Sequence, residues 1–97
     1  MTSSGPAIIA LIIEALSDGG LSGGLPKILS EELIMEMMLG TISLIKENQL
    51  TPFELKNLVT SPGGTTISAL RVLEKKSIRS ALIESIVSAS NRSKEFN

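Results

Sequence analysis

Residues 60–66 read TSPGGTT and stand between two apolar, helix-like segments. Placed at the start of a helix, such a run can hold a small anion. The first N–H groups of a helix have no internal carbonyl to bond, and the helix dipole favours negative charge at that end. With Ser61 as N-cap and Pro62 as first helical residue, the free amides belong to Gly63, Gly64 and Thr65, with Thr66 next. Glycine has no Cβ, so a ligand can approach the backbone closely. Ser61 and Thr66 add hydroxyls on the same rim. The pattern suits one small carboxylate and leaves a hydroxyl for a neighbouring polar atom. By itself it is also ordinary turn and cap chemistry, since Ser-Pro-Gly before a helix serves both ends.

The rest of the composition narrows the chemistry. The chain of 97 residues has no His and no Cys. That excludes disulfides, thiolate nucleophiles, Cys-ligated zinc and the commonest general base. A reducing, cytoplasmic compartment fits the missing cysteines. The net charge of −1 gives no basic footprint for nucleic acid and no polybasic patch for a membrane. The N-terminal MTSSGP lacks the basic residues of a signal peptide. The apolar run from Ala7 to Ile13 is short for a membrane span and is interrupted by Glu14. A soluble protein without membrane or nucleic-acid partners is expected.

The elements that must position the run are helices. Ser4 can cap a first helix with Pro6 in its first turn, reading AIIALIIEAL and running to Gly19–Gly20 or a little past. LSGGLP connects it to a second helix over about Pro26 to Glu47, in which Ser30, Glu31 and Glu32 suit the first turn. TPFE then forms a capping box, with Thr51 at N-cap, Pro52 first and Glu54 reaching back, for a short helix to about Val59. A fourth helix starts near Thr65, with Ile67, Leu70 and Leu73 at helical spacing. EKKS is a junction, and a fifth helix from Ile78 carries Ile78, Leu82, Ile86 and Ala89 on one stripe. The tail NRSKEFN reads as a frayed helix end. No long alternating strand pattern occurs, and GGLSGG lacks the glycine spacing of a dinucleotide fingerprint.

The result is an all-α chain of about five helices. The first two are apolar on most faces, with Met35, Met37 and Met38 spread around the second as filler. One small monomer cannot enclose two such helices, and the surplus apolar surface implies an obligate oligomer, most simply a two-fold dimer. Asp18 reads as a connector acid near the glycines, and Arg71 and Arg79 as cations that could pair across a dimer.

The run is longer than its centre. LVTSPGGTTISALRVLE at 58–74, followed by RSALIESIVSASNRSKE at 79–95, resembles the C-terminal domain of the pyrroline-5-carboxylate reductase family. SGPA at 4–7, EALSDGGLSGGLP at 14–26, Leu39–Gly40 and Leu55–Lys56 fall in register with it, so the resemblance covers essentially the whole chain. It implies a helical dimerisation and substrate domain, intertwined as a homodimer and often assembled into a ring of dimers. In the family this domain follows a dinucleotide-binding domain, and the complete enzyme reduces 1-pyrroline-5-carboxylate to L-proline with NAD(P)H. By position, Ser61, Gly63, Gly64 and Thr65 would hold the substrate carboxylate with help from the Thr66 amide. The Thr66 hydroxyl would face the ring nitrogen and serve the catalytic step.

The resemblance has departures. Ile8 stands where the family has an aromatic residue, Glu36–Met37 where Gln-Thr is common, Lys76–Ser77 in place of a Gly-Gly turn, and Ile78 in place of Phe. Without those glycines the last two helices could use a different turn or fuse. The dinucleotide-binding domain is absent from these residues, so the chain alone is expected to bind no cofactor and to be inactive. Two other readings remain: a stand-alone helical oligomerisation module, and a small carboxylate-binding protein, for example one that binds proline, without the chemistry.

Overall fold

The computed structural model describes residues 4–60 and 64–93. These form five helices: α1 (Gly5–Ser22), α2 (Lys27–Glu47), α3 (Pro52–Leu58), α4 (Thr65–Lys75) and α5 (Ile78–Ser93). No strand occurs among the described residues. The chain divides into two units between Gln49 and Leu50, an α1–α2 hairpin and an α3–α5 group.

The hairpin closes at its turn through small residues. The Ser30 hydroxyl donates to the Ser17 carbonyl at 2.7 Å, and the Ser17 hydroxyl donates to the Ile13 carbonyl at 2.7 Å. Gly20 makes this approach possible: a Cβ there would stand 2.1 Å from the Ser30 hydroxyl oxygen. α1 ends in a Schellman arrangement, with Gly24 at φ 102° and its N–H donating to the Leu21 carbonyl, and Leu25 N–H donating to Gly20. Toward the far end the seam opens into an apolar groove of about 290 Å³ between Ile9 and Ile13 on one side and Met35, Met38, Leu39 and Ile42 on the other.

Several helix starts differ from the sequence expectation. Ser4 makes no side-chain cap bond, and Pro26 is the N-cap of α2, not its first residue. Glu31 and Glu32 fall beyond the first turn of α2, and Ser30 is buried against α1 because the glycine opposite it leaves room for a hydroxyl. Asp18 lies within α1, since helical bonding continues through the glycines to Ser22. At 18 residues and mean hydropathy 1.3, α1 is long and apolar enough to cross a membrane by length and composition, a test that the core helix of a soluble protein also passes. The run from Ala7 to Ile13 understated it.

In the second unit α4 and α5 stay separate helices. Lys76 caps α4 and Ser77 takes φ 63°, the left-handed conformation that glycine adopts freely. Its N–H donates to the Glu74 carbonyl at 3.0 Å, and its carbonyl accepts from Ala81 at 3.0 Å. A turn of the kind that glycine favours is therefore kept without glycine. Arg79 pairs with Glu74 at 2.6 Å across it, inside one chain.

No apolar side chain is buried among the described residues, and the buried ones are Ser17 and Ser30. The surplus apolar surface expected from the sequence is thus larger than two helices. It includes Phe53 and Leu58 of α3 and Leu82, Ile83 and Val87 of α5.

Candidate functional site

α4 starts at Thr65 with Gly64 as N-cap, in extended conformation at φ −84° and ψ 177°. The Gly64 carbonyl accepts the first helical bond, from the Ser68 N–H at 3.3 Å. This corrects the assignment of Ser61 as N-cap and Pro62 as first residue. Glycine is among the poorest helix formers, so two in succession favour a start after them. Ser61 and Gly63 lie outside the described residues.

With that start, the amides lacking a carbonyl one turn back are those of Gly64, Thr65, Thr66 and Ile67. A glycine N-cap has no side chain to satisfy them, and no side-chain cap bond is made. Thr65 is exposed, and Gly64, Thr66 and Ile67 are half-buried. The structure therefore brings Gly64, Thr65 and Thr66 together at one helix end, as the sequence reading required. It adds the Ile67 amide, which that reading missed. The helix-disfavouring Gly63–Gly64 pair is the signal that would have found it.

A shallow groove of about 350 Å³ runs from this end along α4, lined by Gly64, Ile67, Ser68, Arg71, Val72 and Lys75. These positions repeat at three and four residues, so they form one face of the helix. Arg71 lies about 10 Å along the axis from Gly64 at 1.5 Å rise per residue. The face thus carries bare amides at its start and two cations further on.

Neighbouring polar groups are already engaged. The Thr60 hydroxyl donates to the Lys56 carbonyl at 2.6 Å and helps close α3. The Glu74 carboxyl is held below the ordinary glutamate range, first by its hydrogen bond from Arg79, which outweighs the opposing desolvation, and further by the charges of Arg79 and Lys56. The Arg79 guanidinium is correspondingly raised by its bond to Glu74. No group of acidic, His or Cys side chains among the described residues could hold a metal ion.

The described residues do not fit a dinucleotide. Gly19 and Gly20 lie inside α1, and Gly23 and Gly24 link it to α2, where a dinucleotide cradle needs a strand feeding a glycine turn and a helix.

Comparison with known proteins agrees with the helical fold. Residues 1–96 match the family described as pyrroline-5-carboxylate reductase dimerisation. A pyrroline-5-carboxylate reductase of Synechocystis sp. is 50% identical over 96 residues, which cover 99% of this chain and 36% of that protein. That of Arabidopsis thaliana is 44% identical over 97 residues, covering 100% of this chain and 35% of the other. The chain thus spans little more than a third of the length of these relatives. A solved pyrroline carboxylate reductase from Plasmodium falciparum, with NADP bound, superposes with a TM-score of 0.89 at 34% identity, over 93% of this chain and 34% of that one. The Coxiella burnetii pyrroline-5-carboxylate reductase gives a TM-score of 0.87 at 41% identity, over 95% and 34%. The chain belongs to the pyrroline-5-carboxylate reductase dimerisation family.

Proposed function

We propose that this chain is the part of a pyrroline-5-carboxylate reductase that joins two copies of the protein and holds the substrate carboxylate. The observation that carries the site is the uncapped start of α4, where the amides of Thr65 and Thr66 follow a glycine N-cap. The reading is supported by the match of residues 1–96 to the dimerisation family. Self-association is supported by the same match and by the absence of buried apolar side chains among the described residues.

In this reading Ser61, Gly63, Gly64 and Thr65 form the rim that receives the carboxylate of 1-pyrroline-5-carboxylate or of proline, and the Thr66 amide completes it. Each charge-assisted bond from an amide to the carboxylate contributes about 1.5–3 kcal/mol. The Thr66 hydroxyl faces the ring nitrogen. A donor there favours the protonated imine, which is the better hydride acceptor, and so stabilises the transition state more than the ground state. Fixing the carboxylate also fixes the direction of the C=N bond, which contributes through orientation. NADPH or NADH would be held by a separate dinucleotide-binding domain outside these residues, and no step of the chemistry is assigned to this chain beyond binding, orientation and the donor at nitrogen. The chain by itself is expected to turn over nothing, in a cytoplasmic setting where the assembled enzyme makes proline. Assembly beyond a homodimer, into a ring of dimers, accords with the family resemblance.

Calorimetric titration with L-proline and with L-prolinamide tests the site. Binding of proline with loss on amidation is expected. Equal binding of both, or binding of neither, contradicts a carboxylate site and leaves the stand-alone helical module as the reading.

A further inference from the structure

Backbone amides by themselves select weakly for charge. An N–H group donates to a carboxylate oxygen, and it also donates to the carbonyl oxygen of a neutral amide. The helix dipole favours the anion, but it amounts to about half a charge and fades within the first turn. Firm discrimination between a charged ligand and its neutral analogue needs a full positive charge nearby with no acid opposing it.

The chain places such charges on one side of itself. Residues 50–97 carry seven Lys and Arg against four Glu, whereas residues 1–49 carry two against six Asp and Glu. The net charge of −1 thus conceals a cationic α3–α5 unit. Within that unit, the groove along α4 is lined by Gly64, Ile67, Ser68, Arg71, Val72 and Lys75, with no acid among them. Glu74, the one acid on α4, is taken by Arg79. Arg71 and Lys75 have no acid partner among the described residues.

Position along the groove singles out Arg71. Its Cα stands about 10 Å along the axis from Gly64, and that of Lys75 about 16 Å. A long side chain on a helix leans back over the turn that precedes it, so Arg71 covers the surface toward Ser68 and the free amides. Lys75 leans back only as far as the turn of Arg71.

We infer that Arg71 is the specificity-determining charge of the α4 site, favouring a ring that bears a carboxylate over the same ring bearing a neutral group. The inference rests on the carboxylate-site reading above and goes beyond it, since the amides could hold a ligand without any cation. Arg71 acts through its field and not through a required bond, so salt grades its effect. The Debye length is about 10 Å at 0.1 M salt and about 3 Å at 1 M. A charge at this distance is therefore felt at low ionic strength and screened at high. The same field raises the local concentration of an anionic ligand before it docks.

The test compares cyclopentanecarboxylate with cyclopentanecarboxamide, one ring with two charges, by calorimetric titration of the 97-residue chain at about 0.02 M and about 1 M salt. The parent chain should bind the carboxylate more tightly, by a margin that narrows at high salt. Arg71→Gln should cut that preference by roughly threefold to tenfold at low salt and remove most of its salt dependence. Arg71→Lys keeps the charge and should keep the preference, while Lys75→Gln should have the smaller effect. Helix content read by circular dichroism should match in all, because Arg71 is exposed and glutamine suits a helix. An Arg71→Gln chain with undiminished preference overturns the inference and leaves the carboxylate site standing. A parent preference that salt does not change does the same. Failure of the parent chain to bind the carboxylate at either salt overturns the site and the inference together.

Discussion

Two helices in the same unit begin in opposite ways. α3 is sealed by its own side chains: the Glu54 N–H donates to the Thr51 hydroxyl oxygen at 3.1 Å, and the Thr51 N–H donates to the Glu54 carboxylate at 2.8 Å. Its first residue is Pro52, which has no N–H to offer. α4 has glycine at N-cap, threonine first, and no side-chain cap. Both starts obey the same need to satisfy orphan donors. One meets it internally, and the other leaves its donors for water or for a ligand. A helix N-terminus as such therefore says little about binding, and the identity of the cap decides whether the end is available.

The comparison can be broken most strongly by making α4 start like α3. Thr65→Pro removes one of the free amides while suiting the first helical position, and Gly64 already has the extended backbone that precedes proline. Helix content should be unchanged, and proline binding measured by calorimetry should weaken by about tenfold to a hundredfold, the value of one charge-assisted hydrogen bond. Undiminished binding would show that this donor is not used.

The reverse experiment opens the sealed start. Thr51→Ala removes the hydroxyl that accepts from Glu54. It should lower stability by about 1 kcal/mol in denaturant unfolding and leave proline affinity unaltered. An equal loss of affinity would mean that α3 and the site are not separable in this way.

The far end of α4 sharpens the comparison between self-sufficient and strained termini. Ser77 holds φ 63°, where a side chain is disfavoured. Ser77→Gly should raise stability by up to about 1 kcal/mol, seen as a higher thermal midpoint at fixed protein concentration. A lower midpoint would mean that the serine side chain contributes more than its backbone strain costs.

The smallest effect is electrostatic. Because the folded-state pKa of Glu74 is depressed, its contribution to stability is present above the ordinary glutamate value and is lost as the pH falls through the lowered one. The pair with Arg79 is exposed, so the loss is slight. Glu74→Gln should lower the thermal midpoint by a small margin at neutral pH, and the difference from the parent chain should close as the pH falls from roughly 5 to 3.

Much of this was legible in the residues. Thr51, Pro52 and Glu54 announced their capping box because every partner lies within three positions, and the start of α5 at Ile78 followed from its apolar stripe. Family resemblance identified the run around Gly64, Thr65 and Thr66. What failed depended on tertiary context or on competing caps. Ser30 looked like a helix-start residue but serves the hairpin, because its partner Ser17 lies on another helix. Ser61 was favoured as a cap by its hydroxyl, while the glycines that follow it set the start of α4 later. The retained turn at Ser77 was hidden because its residue type argues against the conformation it adopts.

The account stands on the first-turn amides of α4 receiving a carboxylate. Two-dimensional amide NMR of the 97-residue chain during titration with L-proline measures this at the atoms concerned. The account predicts saturable shifts at Thr65 and Thr66, absent with L-prolinamide, while the Glu54 amide at the sealed start of α3 stays still. Thr65 and Thr66 unmoved at saturating proline, or moved equally by the amide, would contradict it.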